Sequence, residues 1–146
     1  PLRTRFPGIE YHGHDPALRV EARWVEFSPP RSLPVTSVLG HVSPEPAPGK
    51  AVFEYAGRTW ELMPFDEGKE NPLFFVLADA TTGRSTYGGG RFLYTPWPVN
   101  GRLVLDFNLA ENPPCAFTPH STCPLPPKEN KLPFAIEAGE KTFVSP

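Results

Sequence analysis

The sequence predicts an all-β protein, either a single antiparallel β-barrel or a two-sheet sandwich of about eight short strands with Pro-rich connections. Three observations carry that expectation. Apolar and polar residues alternate with the two-residue period of a strand in several segments. Turn signals separate those segments at hairpin spacing. Finally, 21 prolines among 146 residues, about threefold the ordinary usage of roughly 5%, interrupt the remaining stretches and exclude long helices.

Taken in order, residues 1–16 show no period and read as an irregular arm. From Leu18 to Phe27 the residues Leu18, Val20, Ala22 and Trp24 alternate with Arg19, Glu21 and Arg23, the pattern of a strand ending at Pro29 and Pro30. Pro34–His41 is a weaker strand, and Ser43–Lys50, with Pro at every second position, reads as a stiff loop. Ala51–Met63 is a hairpin about Ala56-Gly57. That centre pairs Phe53 with Trp60 and Ala51 with Leu62 on one face, and Glu54 with Thr59 on the other. Leu73–Ala78 is a continuous apolar run, as expected of a strand buried on both faces or closing a barrel. Turns at Thr81-Thr82-Gly83 and Asn100-Gly101 imply two further hairpins, the second laying the Arg91–Thr95 strand beside Arg102–Asn108. Leu132–Ala138 alternates as a last strand, and the Pro-rich segment 109–131 is expected to pack over the sheet of one domain spanning 1–146.

Composition narrows the function classes. Fourteen Lys and Arg against 16 Asp and Glu give a net charge of -2 with both signs scattered, so nucleic acid is not an expected partner. No apolar run reaches the roughly 18 residues of a bilayer-spanning helix. The expected location is cytoplasmic. Export stays open as an alternative, because the chain begins at Pro1 without an initiator Met, which leaves room for an upstream leader.

Several motifs lie close together in the second half: Tyr87-Gly-Gly-Gly-Arg-Phe92, Leu105-Asp-Phe-Asn108, Asn112-Pro-Pro-Cys-Ala-Phe-Thr-Pro119, Cys123-Pro-Leu-Pro-Pro127, Glu129-Asn-Lys-Leu132 and Ile136-Glu-Ala-Gly-Glu-Lys141. In these the chain closely resembles the uncharacterised family known as domain of unknown function 1684, and Phe6–Trp24 resembles that family's more variable N-terminal part. The chain departs from the family pattern at Asn108-Leu-Ala-Glu-Asn112, where members usually read Asn-Arg-Ala-Tyr-Asn, and at His120, where an aromatic residue is frequent. The resemblance implies no substrate, since the family carries no agreed activity.

The candidate site residues are Tyr87, Arg91, Asp106, Asn108, Asn112, Cys115, His120 and Cys123. Asp106 and Asn108 share one strand face by parity, and Arg91 on the expected hairpin partner would reach them. Such a cluster could hold a small polar or anionic ligand in the mouth of a barrel, or it could be a buried structural network. Gly88-Gly89-Gly90 could present amides to an anion, although a bulge or bend accounts for it equally simply and the spacing of a phosphate loop is lacking. Cys115, His120 and Cys123 offer three soft ligands, but the Cys-x7-Cys spacing matches no zinc finger or ribbon, so no metal is expected and the cofactor is unknown. The cysteines are expected to lie near each other, either bonded or as structural thiols. The preferred reading is a small-molecule or ion-binding β-barrel. The alternatives are a hydrolase or thiol-dependent enzyme using Cys115, His120 or Asp106, and a structural or protein-interaction module.

Overall fold

The computed structural model describes residues 10–117 and 122–142. These form an all-β structure of six strands: β1 (Arg19–Thr36), β2 (Val42–Tyr55), β3 (Arg58–Leu62), β4 (Leu73–Leu77), β5 (Arg91–Thr95) and β6 (Arg102–Asp106), with only three-residue 3-10 turns besides. Strands β3-β2-β1-β6 make one antiparallel sheet, and β4-β5 make a second. Among the described residues no helix is long and apolar enough to cross a membrane.

The β2–β3 hairpin has the register expected from its sequence, with Phe53 opposite Trp60, Ala51 opposite Leu62 and Glu54 opposite Thr59. Its turn holds Ala56 at φ 53° and Gly57 at φ 76°, so both central residues are left-handed, as in a type I′ turn. The turn at Asn100-Gly101 is of the same kind, with φ of 52° and 72°. It does not lay β5 beside β6, however. β6 pairs with β1, placing Arg19 opposite Asp106, while β5 pairs with β4, placing Leu77 opposite Arg91. Pro96 and Pro98 supply no N–H between β5 and the turn, so a ladder there would lack donors.

The expected stiff loop Ser43–Lys50 is instead part of β2, and the expected break at Pro29 and Pro30 lies within β1. Parity explains how a strand tolerates these prolines. Alternate residues direct their backbone groups to the same edge, and Pro44 and Pro46 share the edge facing away from β1. Pro46 carbonyl accepts from Asp66 N–H on that outer edge, while the odd residues Ser43 and Glu45 pair with Val35 and Leu33. The interruption at Pro29-Pro30 shows only as a register shift between Glu26 and Arg31.

That shift also exchanges the inward parity of β1. Before it, Ala22 enters one core with Ala51, Phe53, Leu62, Leu103 and Leu105. After it, Leu33 and Val35 enter a second core with Ala47, Met63 and Phe65. The β4–β5 sheet lies between the two. Leu73, Phe75, Leu77 and Leu93 face the first core, and Phe74, Val76 and Phe92 face the second. All five β4 residues are therefore buried, each such side chain contributing about 1.5–3 kcal/mol.

Leu132–Ala138 forms no strand, contrary to its alternation. It touches the end of β4 through Leu132 N–H to Ala78 carbonyl at 2.8 Å, but Pro133 then removes a donor. Phe134 carbonyl still accepts from Ala80 N–H at 3.0 Å, but Ile136 and Ala138 are bonded by buried side chains.

Candidate functional site

Arg91 opens β5 and is 1% exposed. Its guanidinium donates from Nη1 to Ala138 carbonyl and from Nη2 to Ile136 carbonyl, the latter at 2.8 Å. Nη2 also lies 3.5 Å from Asp79 Oδ2, a fully buried ion pair. Asp79 follows the end of β4, and β4 pairs Leu77 with Arg91, so the strand register delivers the carboxylate to the guanidinium. Asp79 further accepts from Thr81 Oγ1 at 2.8 Å, Thr82 Oγ1 at 3.2 Å and Ile136 N–H. Burial draws the Arg91 pKa below its ordinary value, against the charges of Asp79 and Glu140. The expected Arg91–Asp106 pairing does not form, because the carboxylate that meets Arg91 is Asp79.

Asp106 and Asn108 do meet each other, elsewhere. Asp106 caps a 3-10 turn, accepting from Asn108 N–H at 3.1 Å and from its Nδ2 at 2.9 Å. Asn108 pins the N-terminal segment, accepting from Asp15 N–H and donating to Asp15 carbonyl, each at 2.9 Å. Asn112 joins a third locality. Its N–H donates to Glu140 Oε1 and its Nδ2 to Lys141 carbonyl, both at 2.9 Å, so with Arg91 it straps the 136–141 segment down. His12 also lies in this region, its pKa lowered first by burial and then by the charges of Arg91 and Lys141.

Tyr87, Cys115 and Cys123 form a fourth locality. Tyr87 hydroxyl donates to Cys115 carbonyl at 3.4 Å. No disulfide joins the two cysteines, and they are hydrogen-bonded reciprocally: Cys115 N–H donates to Cys123 Sγ at 3.3 Å, and Cys123 N–H to Cys115 Sγ at 3.2 Å. His120 lies outside the described residues. Asp106 belongs to another locality, bonded within its own turn. The glycine run turns the chain between Tyr87 and Gly90, with Gly90 N–H donating to Tyr87 carbonyl at 3.1 Å. Gly90 has φ 88°, and a Cβ there would lie 2.5 Å from Pro126 Cγ and 2.6 Å from Leu77 carbonyl oxygen. Close packing accounts for that glycine.

A separate cleft of about 240 Å³ opens at the edge of the second core. Phe65 and Phe74 line it, with ring centroids 6.5 Å apart, and Tyr94 stacks on Phe74 at 5.0 Å. Glu45 and Glu67 stand at its walls with Ser37 and Ser43. Ser43 Oγ donates to Glu45 Oε1 at 3.3 Å. The Tyr94 pKa is raised by burial and then by the charges of Glu111 and Glu67.

A family model matches residues 4–141 of this chain. The chain belongs to that family, Protein of unknown function (DUF1684). Among solved structures, it is similar to the solution NMR structure of the uncharacterized protein from gene locus rrnAC0354 of Haloarcula marismortui. The two share 32% identity and a TM-score of 0.76, over 96% of this chain and 79% of the other. No curated protein matches the chain.

Several polar residues of this DUF1684 chain escape a reading by motif. Asn130 is fully buried and clamps three backbone groups: it accepts from Met63 N–H and donates to Met63 carbonyl, each at 2.8 Å, and donates to Val76 carbonyl at 3.0 Å. Asp79 had a local signal, a lone carboxylate closing an apolar strand before Thr-Thr-Gly. Glu45 and Glu67 had none, since they meet only through the pairing of β1 with β2 and the packing of β4.

Proposed function

We propose that this protein binds a small organic cation, an alkylammonium compound, in the cleft of Glu45, Phe65, Glu67 and Phe74. The chemistry of the lining carries the reading: two carboxylates stand beside two Phe rings, and among the described residues no Lys or Arg lines the cleft. Aromatic faces and carboxylates both attract a cation, and each does so more strongly where water is displaced. Among the described residues neither glutamate has an ion-pair partner. Ligand pockets usually measure roughly 300–1,000 Å³, so the volume suits a compact ligand. The charge of this cleft favours a cation over the anion that an accessible Arg91 would suggest. At 1% exposure Arg91 is out of reach of a ligand from solvent.

Thermal unfolding with butylammonium or tetramethylammonium, set against butyrate as a matched anion, tests the proposal. The cations raise the melting temperature with concentration, as any ligand of the folded state does, and butyrate does not. The double variant Glu45→Gln, Glu67→Gln keeps the melting temperature of the free protein and loses the response. Equal shifts from butyrate, or a double variant that still responds, would refute it.

A further inference from the structure

Cys115 and Cys123 are eight residues apart in sequence, yet each sulfur accepts the other residue's backbone N–H, at 3.2 and 3.3 Å. Among the described residues no group of three or more His, Cys, Asp or Glu could hold a metal ion. Cys123 packs in the second core, and the half-buried Cys115 lies against it. Two sulfurs held in contact, one of them reachable from solvent, have the arrangement of an attacking and a resolving thiol.

We propose that Cys115 and Cys123 form a redox-convertible dithiol that a low-molecular-weight disulfide such as glutathione disulfide oxidises to an intramolecular disulfide. The Cys115 thiolate attacks one sulfur of glutathione disulfide, forming a mixed disulfide and expelling one glutathione thiolate. Cys123 then gives up its proton and attacks the Cys115 sulfur, expelling the second glutathione as thiolate. The protein dithiol loses two electrons and two protons, and glutathione disulfide is reduced to two glutathiones. The order follows from position. Burial, together with its hydrogen bond to Cys115, pushes the Cys123 thiol up to about 11, so Cys123 is the poorer first nucleophile. Both sulfurs touch the chain beside the cleft, because Thr122 and Pro124 flank Cys123 and line it. The inference does not depend on what the cleft binds.

The test starts from the fully reduced full-length chain in its native state, equilibrated with glutathione redox buffers and read by intact mass and thiol titration. The expected result is loss of the mass of two hydrogens together with both titratable thiols, reversed by excess glutathione, with the protein monomeric throughout. Cys123→Ser should stop at a persistent glutathionyl adduct, and Cys115→Ser should react far more slowly. The native chain alone decides the matter if a variant does not fold. Retention of both thiols in oxidising buffer, a stable glutathionyl adduct on the native chain, a disulfide between two chains, or thiols titratable only after metal removal would each overturn it.

Discussion

At the scale of single residues, two aspartates exchange the roles their strands suggest. Asp106 and Asn108 do meet, but through a capped 3-10 turn rather than strand parity, because β6 ends at Asp106; the expected partnership with Arg91 required β5 and β6 to be neighbours. Arg91 instead meets Asp79, whose position depends on β4. The energetic consequences separate cleanly. Asp79→Ala leaves a guanidinium buried without its counter-charge and should cost about 3–5 kcal/mol, whereas Asp106→Ala removes a cap and should cost about 1 kcal/mol. Chemical denaturation of the two variants measures both, and a larger loss for Asp106→Ala would reverse the assignment. His12 contributes a pH dependence. Its folded pKa lies below the ordinary histidine value of 6.5, so the unfolded chain binds the proton more readily. The neutral imidazole's contribution to stability is fully present above about pH 6.5 and is lost as the pH falls through the lower folded value. The melting temperature should therefore drop less between pH 7.5 and 5.5 in His12→Asn than in the native chain; an unchanged drop would show that His12 titrates alike in both states.

Among the elements, local signals succeeded where one turn sets one register. Ala56-Gly57 fixes β2 against β3, and the alternation of Ala51, Phe53, Trp60 and Leu62 reports the buried face directly. The continuous apolar run of β4 was likewise readable, since a strand with a core on each face needs no polar side. Prolines misled in both directions. Those at 44 and 46 resemble loop residues until their common parity is set beside the free edge of β2, a fact of sheet order that no local pattern contains. Leu132–Ala138 alternates like a strand, but its carbonyls serve Arg91 and its Ile136 N–H serves Asp79. The turn itself offers a test. Ala56 pays a steric penalty at φ 53° that Asn tolerates better. Ala56→Asn should raise stability by about 0.5–1 kcal/mol, seen as a later denaturation midpoint with an unchanged slope; a destabilised variant would argue against the type I′ turn.

For the molecule as a whole, one long bent pair of strands, β1 and β2, serves two cores set on opposite faces of the β4–β5 sheet. The first core is closed by β3, β6 and the strapped 132–138 segment. The second is covered in part by Cys115 and Cys123, and at its edge the aromatic layer reaches the surface between Glu45 and Glu67. The functional proposal follows this separation: the Arg91–Asp79 pair is fully buried, while Glu45 and Glu67 line a cleft at the surface. Chemical-shift mapping of the nitrogen-15-labelled protein, titrated with butylammonium, tests that division most directly. Saturable shifts should concentrate at the amides of Val35, Ser43, Phe65, Phe74 and Thr122, leaving Asp79, Arg91 and Ile136 in place. Shifts centred on Asp79, Arg91 and Ile136, or none at all up to high ligand concentration, would contradict it.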